Sequence, residues 1–139
     1  MKICIVIANY YPKVSKELLF GALKVLKTNG IKQYKIFHAP GVFEIPVIIS
    51  KNINFYDGFI ALGCVIKGKT PHFDFISRTT INAIMHLSTL HRKPIGNGIL
   101  TCLNKKQALS RSNPKKKNKG GEACKASLSV LGILKNEQK

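Results

Sequence analysis

The stretch Phe59-Ile60-Ala61-Leu62-Gly63-Cys64-Val65-Ile66-Lys67-Gly68-Lys69-Thr70-Pro71-His72-Phe73-Asp74 decides the fold. Its first half, Phe59 to Ile66, is apolar throughout, as expected of a strand buried on both faces of a sheet. Its second half turns at Gly68-Lys69-Thr70-Pro71 into a long helix over about 72–91. Working outward, the same unit recurs. Ile3 to Ala8 is a second continuous apolar run, followed by a loop with Tyr10, Tyr11 and Pro12. Ser15 is placed to cap a helix whose apolar positions Leu18, Leu19, Ala22, Leu23 and Leu26 share one face, and Asn29-Gly30 stops it. Residues 34–38 predict a short strand, broken by Ala39-Pro40-Gly41. Phe43 to about Asn52 predicts a helix with Pro46 in its first turn. Residues 95–102 predict a fourth strand, and helices follow over about 105–112 and 120–134, separated by the basic loop 113–118. Strand and helix alternate, which predicts an α/β three-layer sandwich: a four-stranded parallel sheet with helices on both faces.

The chain of 139 residues is long enough for one core, so a single domain over residues 1–139 is expected. Apolar residues make up 45% and charged residues 21%, which excludes a disordered or coiled-coil protein. No apolar run reaches the ~18 residues that span a bilayer. The apolar start Met1 to Ala8 runs into Asn9-Tyr10-Tyr11-Pro12 without a small-residue cleavage pattern, so it reads as a strand and not a signal peptide. Lys plus Arg is 23 and Asp plus Glu 6, a net charge of +17. Two readings are open: an attraction for anionic partners, or a lysine-, isoleucine- and asparagine-rich composition that spreads lysine over every solvated face. The cysteines Cys4, Cys64, Cys102 and Cys124 are widely spaced with no CxxC pair. That pattern fits buried free thiols in a reducing cytoplasm and no zinc site.

In parallel sheets of this kind ligands sit beyond the carboxyl ends of the strands. Segments 9–12, 39–44, 67–72 and 103–104 are therefore the candidates. The turn before His72 combines a glycine, the Thr70 hydroxyl and a helix start, the elements of an anion site, though it lacks the spacing of a nucleotide-binding P-loop. An imidazole at His72 could move protons beside that anion; the plainer reading is a helix-start residue. Glu44 either complements the helix dipole or accepts hydrogen bonds from a ligand. Tyr10 and Tyr11 stand where a ring could stack on a flat heterocycle. Arg111, one of three arginines, offers the bidentate fork that lysine lacks, or is a helix-surface charge. The run Lys115, Lys116, Lys117 and Lys119 looks like a nucleic-acid patch, but no aromatic residue follows Phe75, so base stacking from that half is excluded. His38, His86 and His91 read as structural.

Taken together the motifs resemble those of the lumazine synthase family, over nearly the whole chain from Ile3 to about Leu131. They are Pro40-Gly41-Val42-Phe43-Glu44-Ile45-Pro46, Leu62-Gly63 through Thr70-Pro71-His72-Phe73-Asp74, Gly96-Asn97-Gly98-Ile99-Leu100-Thr101, Gln107-Ala108 leading to Arg111, and Asn118-Lys119-Gly120 with Glu122-Ala123. The resemblance implies a flavodoxin-like fold and a cofactor-free transferase of riboflavin biosynthesis. Such an enzyme condenses 5-amino-6-(D-ribitylamino)uracil with 3,4-dihydroxy-2-butanone 4-phosphate to 6,7-dimethyl-8-ribityllumazine, phosphate and water. It implies that Tyr10 stacks on the pyrimidine and that Val42, Phe43 and Glu44 hold the ribityl chain. Cys64, Val65 and Ile66 would line the pyrimidine pocket, with Asn97 closing it from a neighbouring subunit. Lys69, Thr70 and Arg111 would bind the butanone phosphate, and His72 would transfer protons. The implied state is a cytoplasmic homopentamer, extending in the family to icosahedral shells and to association with riboflavin synthase, with no membrane or metal involved.

The chain departs from the family pattern in places. Tyr10 and Asn97 stand where many relatives carry Phe, Lys67 replaces a common arginine, and Lys117 stands where shell-forming relatives often have glycine. The chain also begins almost at its first central strand, where relatives usually have about a dozen more residues adding a strand to the neighbouring subunit. Two other functions compete with the enzyme: a basic nucleic-acid-binding module and a shell-forming scaffold with weak activity. The joint presence of Tyr10, Phe43, Glu44, Thr70, His72 and Arg111 favours the enzyme over both.

Overall fold

The computed structural model describes residues 1–136. Strands β1 (Lys2–Ala8), β2 (Gln33–Ala39), β3 (Gly58–Ile66) and β4 (Ile95–Cys102) form one parallel sheet in the order β2-β1-β3-β4. Parallel neighbours need crossovers, and helices supply them: α1 (Pro12–Thr28), α2 (Ile45–Asn52), α3 (His72–His91), α4 (Lys105–Ser112) and α5 (Lys119–Asn136). Helices α1, α4 and α5 cover one face and α2 and α3 the other. The expected α/β three-layer, flavodoxin-like sandwich is thus observed.

The period-two pleat sorts the apolar runs between two cores. In β1, Ile3, Ile5 and Ile7 pack with Leu18, Ala22 and Leu26 of α1, while Cys4, Val6 and Ala8 pack with Ile45 and Ile49 of α2. In β3, Ile60, Leu62 and Cys64 join the first core and Phe59 and Ala61 the second. Register follows from this division. Ile5 lies opposite both Ile36 and Ile60, and Gly63 lies opposite Ile99. A slip of one residue would exchange the two faces of a strand.

Two expected helix starts are corrected. Ser15 does not cap α1; the helix begins three residues earlier, at Pro12, whose fixed φ suits a first helical position. Ser15 is instead buried, and its Oγ donates to the Ala8 carbonyl at 2.6 Å, tying the first turn of α1 to the end of β1. Likewise Phe43 does not open α2. Val42–Glu44 form a separate 3₁₀ turn, and the α-helix starts at Ile45 with Pro46 in its first turn, where a missing N–H costs nothing.

The crossing of α1 and α5 explains part of the Asn118-Lys119-Gly120 motif. A Cβ at Gly120 would collide with the Leu18 carbonyl, so only glycine lets the helices approach this closely. Asn118 sits in the left-handed region at φ 48°, and its Oδ1 accepts the Gly121 N–H at 3.3 Å. All four cysteines are buried free thiols. Burial pushes the thiols of Cys4, Cys64 and Cys124 up to about 12. No described helix is long and apolar enough to cross a membrane.

Candidate active site

Three loops, those following β1, β2 and β3, meet at the carboxyl end of the sheet, and a cavity of about 620 Å³ opens among them. That is within the range of roughly 300–1,000 Å³ typical of small-molecule sites. The end of β1 brings Tyr10 and Tyr11, and the loop after β2 brings Pro40 to Glu44. The last residues of β3 bring Cys64, Val65 and Ile66; the following turn brings Gly68 and Thr70; and the first turns of α3 bring His72, Phe73 and Ile76.

Each side chain has a local reason to be where it is. The Tyr10 and Tyr11 rings meet edge to face, 5.0 Å apart at 74°. This leaves Tyr11 half-buried in the core while Tyr10, 71% exposed, stands at the cavity rim. Phe43, 59% exposed on the 3₁₀ turn, lines the same cavity. Two large apolar rings open to solvent around one cavity are costly unless something covers them. Glu44 is the one carboxylate in the lining. A Cβ at Gly41 would stand 3.1 Å from Glu44 Oε2, so the glycine leaves that carboxylate room to turn. In the turn after β3, the Thr70 Oγ1 accepts the His72 N–H at 3.4 Å, fixing the turn that feeds α3. Both residues are exposed to the cavity mouth, and the start of α3 adds the positive end of its dipole. Burial, and then the adjacent Cys102, hold the Cys64 thiol up to about 12, so it lines the floor as a neutral, apolar group.

The structure brings together nine residues expected from the sequence: Tyr10, Val42, Phe43, Glu44, Cys64, Val65, Ile66, Thr70 and His72. Lys69, Asn97 and Arg111 do not line the cavity of their own chain. Lys69 is exposed in the turn beside it. Asn97 lies partway along β4, opposite Ala61 and well short of the carboxyl end, with its Oδ1 accepting the Ile99 N–H at 3.0 Å. Arg111 is at the right end of the sheet. Its Nη1 donates to the Thr101 carbonyl at 3.3 Å and lies 3.7 Å from Cys102 Sγ. The start of α4 positions it: Asn104 Oδ1 accepts the Gln107 N–H at 2.9 Å and Gln107 Oε1 accepts the Leu103 N–H at 2.8 Å, a reciprocal cap. Phe73 and Ile76 are lining residues that sequence reasoning missed. Ile76 follows His72 by one helical turn, and that spacing was the available signal.

The chain is similar over nearly its whole length to proteins of one family. Residues 1–135 match the family model described as 6,7-dimethyl-8-ribityllumazine synthase. Relatives of that name include one from Bartonella bacilliformis, 43% identical over 136 residues, covering 94% of this chain and 88% of the relative. A relative from Novosphingobium aromaticivorans is 41% identical, covering 95% of each chain. Another from Methylorubrum populi is 40% identical, covering 95% of this chain and 82% of its own. On a family match over residues 1–135 and relatives about 40% identical over nearly the whole chain, this chain belongs to the 6,7-dimethyl-8-ribityllumazine synthase family.

Proposed function

We propose that this chain condenses 5-amino-6-(D-ribitylamino)uracil with 3,4-dihydroxy-2-butanone 4-phosphate, giving 6,7-dimethyl-8-ribityllumazine, phosphate and water. The observation that carries the reading is the meeting of Tyr10, Phe43, Glu44, Thr70 and His72 around one cavity, on a chain whose family bears that product's name. A nucleic-acid module or an inert shell has no use for that meeting.

The chemistry is an imine formed between the uracil's 5-amino group and the ketone with loss of one water, elimination of phosphate, and ring closure with loss of a second water. No step needs a redox partner. In this reading Tyr10 stacks on the pyrimidine, and Glu44 accepts from ribityl hydroxyls beside Val42 and Phe43. Cys64, Val65 and Ile66 form the dry floor against the ring. Thr70, Lys69 and the start of α3 receive the phosphate, with Arg111 gripping it. His72 accepts a proton as the imine rearranges and returns it to the departing oxygen, a role for which imidazole is suited near neutral pH. Holding both substrates against one wall supplies much of the remaining acceleration, up to roughly 7–11 kcal/mol in the best intramolecular cases.

The assembly is a homopentamer in this reading. The exposure of Tyr10 and Phe43 at the cavity rim supports it, because a neighbouring chain would cover both rings. So does the position of Asn97, which lies outside the cavity of its own chain and would close a neighbour's. Icosahedral shells and association with riboflavin synthase are extensions of the same proposal. Four buried free thiols support a reducing, cytoplasmic setting. The test is to mix the purified protein with both substrates and follow lumazine fluorescence. Formation above the uncatalysed rate is expected; a folded, oligomeric sample that gives none would overturn the assignment.

A further inference from the structure

A second cleft, of about 580 Å³, opens between the first turns of α1 and the outer side of α4. Its walls carry Lys13, Lys105, Lys106 and Lys116, with Glu17 as the one carboxylate and the Ser110 hydroxyl among them. The four ammonium groups are exposed and not neutralised: among the described residues the one ion pair is Lys119 with Glu122, which lies outside this cleft. Their placement is also electrostatically adverse. Lys13 is in the first turn of α1, Lys105 and Lys106 are in the first turn of α4, and neither first turn contains an acidic residue. Cations at a helix start face the positive end of its dipole. A composition rich in lysine spreads charge over convex faces; here four lysines converge on one concavity instead.

A ligand that relieves this must be a compact multivalent anion. No aromatic side chain lines the cleft, so nothing there stacks on a base. We propose that the α1–α4 cleft binds a linear oligophosphate of three or more phosphoryl groups, recognised through its phosphate chain by Lys13, Lys105, Lys106 and Lys116. This site is separate from the main cavity. It lies on the lysine-bearing side of α4, whereas Arg111 of the same helix reaches the end of β4.

Titration calorimetry of the full chain with inorganic tripolyphosphate at moderate salt tests the site. Lys105→Gln with Lys106→Gln should weaken binding by roughly tenfold or more, since removing charges beside the ligand is not screened away at such short range. The charge-matched control Lys32→Gln with Lys51→Gln, on exposed lysines away from the cleft, should change it by less than about twofold. Arg111→Ala should also leave it within about twofold. Orthophosphate should bind far more weakly than tripolyphosphate. ATP binding as tightly as tripolyphosphate would assign the ligand to any oligophosphate; tighter ATP binding, weakened to the same degree in the Lys105/Lys106 variant, would assign it to nucleoside triphosphates. The proposal is overturned by absence of binding, by equal weakening in the two lysine pairs, by weakening in Arg111→Ala alone, or by an RNA that binds and is not displaced by tripolyphosphate.

Discussion

At the scale of single residues, the roles proposed for Arg111 and His72 separate binding from proton transfer. The Arg111 guanidinium is tethered to the Thr101 carbonyl at the end of β4, so its fork is presented rather than free. In Arg111→Ala the apparent KM for the butanone phosphate should rise by roughly tenfold or more, because alanine offers the phosphate no charge-assisted hydrogen bond, while that for the pyrimidine changes little. Steady-state kinetics with each substrate varied in turn checks this, and equal effects on both would remove Arg111 from the phosphate site. His72→Ala should slow turnover by about 10–100-fold without abolishing it, because the substrates remain aligned. An unchanged kcat would reduce His72 to a helix-start residue held by Thr70. Neither role could be assigned from the local sequence, where His72 and Arg111 each had an equally simple reading as surface residues.

At the scale of elements, the packing of α1 against α5 is the most exacting. Gly120 packs against the Leu18 backbone, which cannot rotate away as a side chain could. Gly120→Ala should therefore destabilise the fold by about 1–3 kcal/mol, the usual cost of overpacking, measured as a lowered urea midpoint with an unchanged slope. Wild-type stability in this variant would mean the helices can separate cheaply. Element type was legible because hydrophobic period distinguishes the buried strands from the amphipathic α1. Two starts were not. A serine three residues into a helix looks like a cap until the Ala8 carbonyl is seen to take its hydroxyl. The 3₁₀ turn at Val42–Glu44 has no periodic signature, because three residues are too few to show one.

Two properties belong to the whole molecule. Between pH 9 and 12 the unfolded chain loses protons from Cys4, Cys64 and Cys124 that the native chain keeps, since burial holds those thiols up to about 12. The native state then binds more protons than the unfolded one, so stability is undiminished below pH 9 and falls as pH rises through that window. Each thiol contributes about 1.4 kcal/mol per pH unit at most. Chemical denaturation at pH 8, 9 and 10 should show a falling midpoint, and a flat profile would contradict the burial of these thiols. The second property is charge. Each chain carries +17, and five in a ring would carry about +85. Counter-ions must screen that repulsion, so oligomers should loosen as ionic strength falls. Sedimentation showing one assembly at low and moderate salt would rule this out.

The sequence by itself determined the alternation of buried strands and amphipathic helices, and hence the parallel sheet and the end at which the main cavity opens. It did so because apolar spacing and the positions of glycine and proline are local properties that a linear reading captures. The motifs also carried most of the cavity, since residues at the strand ends converge once the strands are parallel. Only the tertiary structure decided which of them share one volume. It brought Phe73 and Ile76 into the lining, left Lys69, Asn97 and Arg111 outside it, and gathered Lys13 of α1 with Lys105 and Lys106 of α4 and Lys116 of the following loop, far apart in sequence. Those outcomes depend on strand order and helix packing, which are set by interactions between distant residues and leave no trace in local spacing.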